Sequence, residues 1–269
     1  MDQHERPIGV FDSGVGGLSV LRALRERLPG ERFVYLGDTA RVPYGTKSAE
    51  TVRAYALNAG AHLMDRGVKC LVVACNSASS VALPALRERW GDVPIVGVIE
   101  PGARAAARAG GPVLVLATEA TVASGAYQRA IRAHDPGVSV HAVPATILVA
   151  LVEEGWTAGD LVNAVVREVL ASATGGEAPA CALLGCTHFP ALAGVIGEVL
   201  GPGVRLVDSA CTTAEETEAV LRERGLIADS GAGDAIFLAT DGPERFARIS
   251  QRFLDTPIKP SEVALVDLV

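Results

Sequence analysis

The segment Gly9–Ser19, GVFDSGVGGLS, runs from a short apolar strand into a glycine-rich turn and then into a predicted helix. Gly14 and Gly16 match two positions of the Gly-x-Gly-x-x-Gly fingerprint of dinucleotide-binding loops, but the third position is a serine. Asp12 ends the strand where a pyrophosphate would approach, and its carboxylate would repel that group. The segment therefore predicts a tight turn that presents Asp12 to a ligand carrying a positive group. A dinucleotide loop, with Asp38 binding the ribose, is the alternative.

The composition of the chain narrows the class of protein. Its 269 residues are 49% hydrophobic, which is ample for a core, and carry a net charge of -7. This acidic balance, without a basic block, argues against nucleic acid as a partner. No apolar run approaches the roughly 18 residues of a membrane span, and the acidic N-terminus is unlike a secretory signal. Five cysteines, an odd number, suit a reducing cytosol. We expect a cytoplasmic globular protein without a membrane partner.

Short apolar runs alternate with amphipathic segments along most of the chain, which indicates parallel sheets covered by helices on both faces. The predicted strands are IGVF, RFVYLG, CLVVAC, PIVGVI, PVLVLA, VSVHAV, CALLGC, VRLVD and DAIFLA. The predicted helices are LSVLRALRERL, SAETVRAYALNAGAHLMDRG, SVALPALRERW, TVASGAYQRAIRAH, ALAGVIGEVL and TTAEETEAVLRER, the last opened by a capping box at Thr213–Glu216.

Ligands of such sheets bind beyond the carboxyl ends of the strands, so the residues that follow each strand are the candidate site. Nearly all of these residues are small and polar or ionisable, with no lysine or arginine among them, which is typical of a site for a small polar molecule. They are Asp12-Ser13, Asp38 with Val42–Gly45, Cys75–Ser77, Thr118 with Thr121, Cys186–His188, and Asp208-Ser209.

Two of these stretches share a Cys-x4-Cys frame around an apolar strand, namely CLVVACNS from Cys70 and CALLGCTH from Cys181. We interpret the similarity as two similar parallel-sheet α/β domains that face each other across a central cleft. The predicted domains are 1–97, with the first reactive cysteine, and 98–207, with the second. The segment 208–269 is predicted to return to the first domain.

The cysteine pairs could also suggest zinc, but residues five apart in a strand point to opposite faces, so no metal site is predicted. Cys70 and Cys181 are expected to be buried and inert. Cys75 and Cys186 each end a strand where a helix is predicted to begin, and a helix N-terminus favours a thiolate.

A cysteine in such a place is usually a nucleophile, and His188 beside Cys186 makes a hydrolase or amidotransferase a candidate. A single nucleophile does not account for the matching Cys75. Two acid/base groups on opposite faces of one carbon would invert a stereocentre, by removing its proton from one side and returning one to the other. In this hypothesis Asp12 assists Cys75, and His188 assists Cys186.

Six motifs in order resemble those of the cofactor-independent glutamate racemases: GVFDSGVGGLSV, GDTARVPYG, ACNSAS, TxxTxxSxxY, LVEEG and LGCTHFP. The resemblance extends from about Ile8 to the helix after Asp208. It implies two α/β domains with the site between them, no metal or pyridoxal phosphate, and interconversion of L- and D-glutamate for peptidoglycan. A homodimer is a further expectation. An aspartate or hydantoin racemase, or a binding protein that retains the fold, is the alternative.

By this resemblance Cys75 takes the proton from D-glutamate and Cys186 takes it from L-glutamate. Asp12, His188 and Glu153 are the other catalytic residues, with Glu154 as the alternative to Glu153. The residues expected to bind the substrate are Asp12, Ser13, Pro43, Tyr44, Gly45, Asn76, Ser77, Thr118, Thr121, Thr187 and His188. Purely structural roles are the alternatives for Tyr44, which could pack under its turn, and for the threonines at 118 and 121, which could cap a helix. Asp38 could be the N-cap of the following turn or a proton relay.

Overall fold

The computed structural model describes residues 2–171, 178–228 and 233–268 of the chain. Within these residues the strands are Ile8–Asp12 (β1), Phe33–Gly37 (β2), Cys70–Val73 (β3), Ile95–Gly97 (β4), Val113–Ala117 (β5), Val140–Pro144 (β6), Cys181–Gly185 (β7), Arg205–Asp208 (β8), Ala235–Ala239 (β9) and Val263–Leu265 (β10).

The described helices are Leu18–Arg27 (α1), Ala49–Met64 (α2), Asn76–Arg89 (α3), Ile99–Ala107 (α4), Glu119–Ser124 (α5), Ala126–His134 (α6), Ile147–Glu153 (α7), Asp160–Ala171 (α8), Ala193–Leu200 (α9), Ser209–Glu223 (α10) and Pro243–Ser250 (α11). Short 3-10 helices cover Gln3–Glu5, Thr39–Arg41, Tyr44–Thr46, Phe189–Leu192 and Pro260–Glu262. None of the described helices has the length and apolar character that a membrane span requires.

The strands of the described residues form two sheets in which every neighbouring pair is parallel. The first sheet has the order β10-β9-β2-β1-β3-β4, and the second has the order β6-β5-β7-β8. Every residue of the central strands β1, β5 and β7 is buried. Continuous apolar strands of this kind need cover on both faces, which the helices supply. The predicted α/β class, with two parallel-sheet domains facing a cleft, is confirmed.

One hydrophobic cluster includes buried side chains from both sheets, among them Val10 and Tyr35 of the first and Leu116 and Leu184 of the second. The last two strands also belong to the first sheet, because β9 pairs with β2 and β10 pairs with β9. The division of the chain at residues 97 and 207 stays a prediction.

Helices α4, α7, α8 and α11 were not among the predicted helices, and three further elements differ from the sequence-based prediction. The predicted helix TVASGAYQRAIRAH is two helices, because Gly125 between them adopts a left-handed backbone with φ of 64°. Helix α10 begins at Ser209, with Asp208 as its N-cap accepting from the Ala210 N–H, so the capping box predicted at Thr213 was wrong. Strand β10 was not predicted, since its three residues are too few for a periodic pattern.

The turn that follows β1 brings the first sheet against the end of β7. Asp12 Oδ2 accepts from the Gly14 N–H at 2.9 Å, and the Tyr35 hydroxyl donates to the Gly14 carbonyl at 2.9 Å. Ser19 Oγ, at the position where a dinucleotide loop has its third glycine, lies 3.1 Å from the Thr187 carbonyl oxygen. A Cβ on Gly16 would lie 2.5 Å from His188 Nδ1 and closer still to Thr187 Oγ1. The glycine therefore allows a backbone approach that no other residue permits.

We predict that Gly16→Ala destabilises the fold by about 1–3 kcal/mol, the usual cost of forcing a methyl group into packed space. Denaturant-induced unfolding measures the change. Gly194→Ala is the matched control, because a Cβ on this residue of α9 would meet nothing within 4 Å. Equal midpoints for the two variants would contradict the close approach.

Candidate active site

A cavity of about 350 Å³ lies between the two sheets, at the carboxyl ends of their strands. Its walls come from both halves of the molecule and contain the two predicted thiols, Cys75 and Cys186. The lining residues are Ser13, Gly14, Val42, Pro43, Tyr44, Gly45, Cys75, Asn76, Ser77, Thr118, Thr146, Val149, Ala150, Glu153, Cys186, Thr187, His188 and Arg245.

Twelve of the predicted site residues are among these, and two lie behind the wall: Asp12 and Thr121, each 1% exposed. Thr121 Oγ1 lies 3.0 Å from Thr118 Oγ1 and 3.3 Å from Ser77 Oγ. Thr118 also caps α5, as its alternative role required, by accepting from the Thr121 N–H. Capping and a place in the cavity wall are therefore compatible for Thr118.

Cys75 is the N-cap residue of α3, and its sulfur accepts from the Ala78 N–H at 3.4 Å. Its thiol lies 3.6 Å from Ser13 Oγ. Burial, together with the negative charge of Asp12, raises the pKa of Cys75 to about 12 against the weaker influence of these hydrogen bonds. At neutral pH this cysteine is a thiol and can donate a proton.

Asp12 lies beneath the turn and is almost completely buried. Burial raises the pKa of this carboxyl, while the positive charge of His188 and the amide groups of the turn act in the opposite direction. Its Oδ1 atom has no hydrogen-bond partner among the described residues. A buried carboxyl with an unused acceptor, next to a thiol, is suited to proton handling.

Cys186 is paired with His188, whose Nδ1 lies 3.8 Å from the Cys186 sulfur. The opposite ring nitrogen, Nε2, lies 3.3 Å from Glu153 Oε1. Burial disfavours the imidazolium, but the interactions with Cys186 and Glu153 outweigh burial and raise the pKa of His188 to about 10. His188 is therefore a cation at neutral pH, and it lies beside the Cys186 sulfur.

The two cysteines differ in the way each strand ends. The expectation that a helix begins directly after each cysteine is correct for Cys75 only. Cys186 is followed by the 3-10 helix Phe189–Leu192, and α9 begins at Ala193. The helix N-terminus that supports Cys75 is thus replaced by an imidazolium at Cys186.

The remaining polar groups join the two halves across the cavity wall. Asn76 Nδ2 donates to the Tyr127 hydroxyl at 2.8 Å, and Ser77 Oγ lies 2.9 Å from Thr118 Oγ1. Asn76 Oδ1 is buried without a hydrogen-bond partner among the described residues. The wall therefore offers donors and acceptors at the start of α3 for the charged groups of a small ligand.

Tyr44 lies in the cavity wall, and its hydroxyl donates to Asp38 Oδ2 at 2.5 Å. Asp38 is fully buried and also accepts from Arg41 and Thr240. Its carboxylate makes no capping hydrogen bond to the following 3-10 helix, so the capping role considered for Asp38 was wrong. The carboxylate instead fixes the turn that carries Tyr44.

Comparisons with known proteins agree with the geometry. Residues 8–217 match the family model of the Asp/Glu/hydantoin racemases. The chain belongs to this family. The glutamate racemase of Neisseria meningitidis (serogroup A) is 44% identical over 96% of each chain. That of Thermus thermophilus is 45% identical over the full length of both. The protein is thus a racemase, an isomerase by class.

Solved structures of glutamate racemases have the same fold. The Francisella tularensis enzyme in complex with D-glutamate is 33% identical, covers 98% of each chain and has a TM-score of 0.93. The Thermus thermophilus enzyme in complex with β-chloro-D-alanine is 44% identical, covers 99% of each chain and has a TM-score of 0.89. An aspartate racemase from Picrophilus torridus is 18% identical with a TM-score of 0.56, a likeness of fold alone.

The lining residues of this racemase that were not predicted as site residues include Arg245 of α11, the only arginine or lysine of the described cavity wall. Its Nη2 lies 2.7 Å from Glu153 Oε2. Arg245 does not directly follow a strand, since it belongs to a helix near the end of the chain. The structure also separates the two candidate acids: Glu153 lines the cavity, whereas Glu154 is exposed outside it.

Among the described residues, no group of three or more histidine, cysteine, aspartate or glutamate side chains has an arrangement that could hold a metal ion. The ionisable groups around the cavity of the racemase form two sets. One consists of Cys75 and Asp12, and the other of Cys186, His188 and Glu153.

We predict that the His188 ring stays protonated through neutral pH and titrates near pH 10. Nitrogen-15 NMR of the labelled imidazoles measures this, with His188→Asn identifying the signal. Glu153→Gln removes the facing negative charge and should lower the pKa of His188. Glu154→Gln, at the exposed neighbour, is the control and should leave it unchanged. A ring that titrates near pH 6.5 in the wild-type protein would contradict the ion pair.

Proposed function

We propose that the protein interconverts L- and D-glutamate, with Cys75 and Cys186 as the two acid/base groups. The observation that carries the proposal is that two buried thiols, one from each sheet, line a single cavity. Relatives that match nearly the whole chain are glutamate racemases, and the Francisella enzyme was solved with D-glutamate bound. The product D-glutamate would supply peptidoglycan synthesis.

With L-glutamate bound, the Cys186 thiolate takes the Cα proton and becomes a thiol. The electron pair of the broken C–H bond stays on Cα and is delocalised into the neighbouring carboxylate. The Cys75 thiol then gives its proton to the opposite face of Cα and becomes a thiolate, which yields D-glutamate. The same steps in reverse order convert D-glutamate to L-glutamate. Every proton transfer is assigned to a protein side chain, so we propose that no cofactor is needed.

The charged neighbours of the two cysteines support these different roles of Cys186 and Cys75. The His188 imidazolium supplies the counter-charge for a thiolate at Cys186, and Glu153 in turn holds the imidazolium. Asp12 disfavours a thiolate at Cys75, so that this cysteine starts the L-to-D reaction as the proton donor. Two catalytic groups of the same chemical type thus begin the reaction in different protonation states because their neighbours carry opposite charges.

Substrate binding is assigned to the polar residues around the thiols. Asn76 lines the cavity, and its Oδ1 atom, an acceptor without a partner among the described residues, suits the substrate ammonium group. Hydroxyl and amide donors at the start of α3 and after β7 suit its carboxylates. The proposed contact residues are Ser13, Pro43, Tyr44, Gly45, Asn76, Ser77, Thr118, Thr187 and His188, while Asp12 and Thr121 support them from behind the cavity wall.

We further propose a cytoplasmic location, where reduced thiols persist. All five cysteines are free, and four of them, including both proposed catalytic thiols, are buried. A homodimer, and the absence of a nucleic-acid partner, stay predictions of the sequence.

The substrate assignment is tested by a chiral assay on the chelator-dialysed protein without pyridoxal phosphate. We expect L-glutamate and D-glutamate each to give an equal mixture of both enantiomers, while L-aspartate and a 5-substituted hydantoin keep their configuration. Racemisation of aspartate or the hydantoin in place of glutamate would overturn the substrate. Activity that returns only on addition of pyridoxal phosphate or a metal ion would overturn the cofactor-free reaction.

The mechanism is tested by changing each thiol separately. Cys75→Ser and Cys186→Ser should each lower racemisation by about 10²–10⁴-fold, because a hydroxyl is a very poor base at neutral pH. In deuterated buffer, any residual exchange of the Cα hydrogen should be one-sided, with L-glutamate in Cys75→Ser and with D-glutamate in Cys186→Ser. The measurement is proton NMR of the recovered amino acid.

Cys211→Ser is the control for the thiol variants, since this cysteine is exposed and lies outside the cavity. Its racemisation rate should equal that of the wild type. If Cys75→Ser or Cys186→Ser also racemises at that rate, the two-thiol mechanism is wrong. A thioester trapped at one cysteine, with the other dispensable, would favour the hydrolase alternative.

A further inference from the structure

The segment that includes α11 crosses from the first sheet to the Cys186 side of the cavity. It follows β9, a strand of the first sheet, yet its Arg245 forms an ion pair with Glu153 at the end of α7. Further along the segment, the buried Phe253 packs its ring against His188, with centroids 5.3 Å apart and an angle of 85° between the planes. The segment thus touches two members of the Cys186 set.

The two oxygens of Glu153 face different partners. Oε1 lies 3.3 Å from His188 Nε2, and Oε2 lies 2.7 Å from Arg245 Nη2. Burial raises the pKa of Glu153, but the bonds to His188 and Arg245 outweigh burial and hold the pKa below its usual value. A glutamate side chain has several rotamers, so fixing one oxygen with Arg245 also fixes the direction of the other.

Arg245 is half-exposed, with 54% of its side chain accessible, so the ion pair by itself contributes little to stability. The orientation that Arg245 gives to Glu153 matters more than this stabilisation. The His188 side chain is only 8% exposed and has no other carboxylate within ion-pair distance among the described residues. If Glu153 turned towards water, the buried imidazolium would lose its counter-charge on that side.

We propose that Arg245 is a positioning residue for proton transfer at Cys186: it holds Glu153 against His188 and thereby keeps the imidazolium beside the Cys186 sulfur. The inference rests on the two-thiol function proposed above and assigns a role to a residue of the C-terminal segment. Arg245 acts through Glu153 and His188 and takes no proton itself. Among the described residues, Arg245 forms no hydrogen bond or ion pair with Cys75, Asp12 or Ser13.

This arrangement predicts an effect on one of the two proton transfers. The charged and titratable groups that face His188 are Cys186, Glu153 and Asp12. Loss of Arg245 frees Glu153 to turn away, which lowers the pKa of His188 and slows proton transfer at Cys186. The groups around Cys75 are unchanged, so proton transfer at Cys75 is not slowed. Because the two enantiomers have equal free energy, kcat/KM must fall equally in both directions. Isotope effects are therefore needed to show which transfer is slowed.

The test compares Arg245→Ala and Arg245→Lys with Arg248→Ala, a matched change at an exposed arginine on the same helix that lies outside the cavity wall. We expect Arg245→Ala to lower kcat/KM about ten-fold, less than the roughly 10²–10⁴-fold effect of a group that transfers a proton. The deuterium isotope effect on kcat/KM should rise with Cα-deuterated L-glutamate and fall with Cα-deuterated D-glutamate. Arg245→Lys should restore part of the loss, and Arg248→Ala should match the wild type.

A second readout does not require activity. In Arg245→Ala the pKa of His188, followed by nitrogen-15 NMR, should fall, because Glu153 is no longer held against the ring. If Arg245 acted only through its own charge, removing it would raise the pKa of His188. A pKa that stays constant or rises in Arg245→Ala, or isotope effects equal to those of Arg248→Ala, would overturn the positioning role. A protein that fails to racemise glutamate but shows the expected fall would overturn the proposed function alone.

Discussion

The contact between the turn after β1 and the chain after β7 is the constraint on which the site depends. Gly16 lies so close to Thr187 and His188 that only hydrogen fits in place of a side chain, and Ser19 reaches the Thr187 carbonyl. This contact brings the carboxyl ends of two parallel sheets together and buries the Asp12 carboxyl near the His188 imidazolium. Each charge lowers the free-energy cost of burying the other. The same contact therefore joins the two sheets and sets the electrostatics of the cavity.

Two similar strand ends produce two different thiol environments. Cys75 has a helix N-terminus and an adjacent carboxyl, and burial keeps it protonated. Cys186 lacks that helix and has an imidazolium instead. In the proposed mechanism these different neighbours make Cys75 the proton donor and Cys186 the proton acceptor when L-glutamate is bound.

Much of this could be predicted from the chain because local patterns determine it. The apolar strands, the residues at their carboxyl ends and both thiols follow from periodicity and from the geometry of parallel sheets. The choice between Glu153 and Glu154 could not be made in this way, since it depends on how α7 is rotated against the cavity. Arg245 and Phe253 escaped prediction because their neighbours are about 90 and 65 residues away in sequence, by the spans to Glu153 and His188.

The placement of β9 has a consequence for the order in which the molecule can assemble on the ribosome. Strand β2 pairs with β1 as soon as both are made, but its other edge stays open until Ala235 pairs opposite Phe33. The second sheet, from β5 to β8, is by contrast complete once Asp208 has been synthesised. The first sheet, whose strands are the first to be synthesised, is therefore completed after the second sheet. Until then it exposes the backbone of an unpaired parallel strand, the kind of edge on which nascent chains associate.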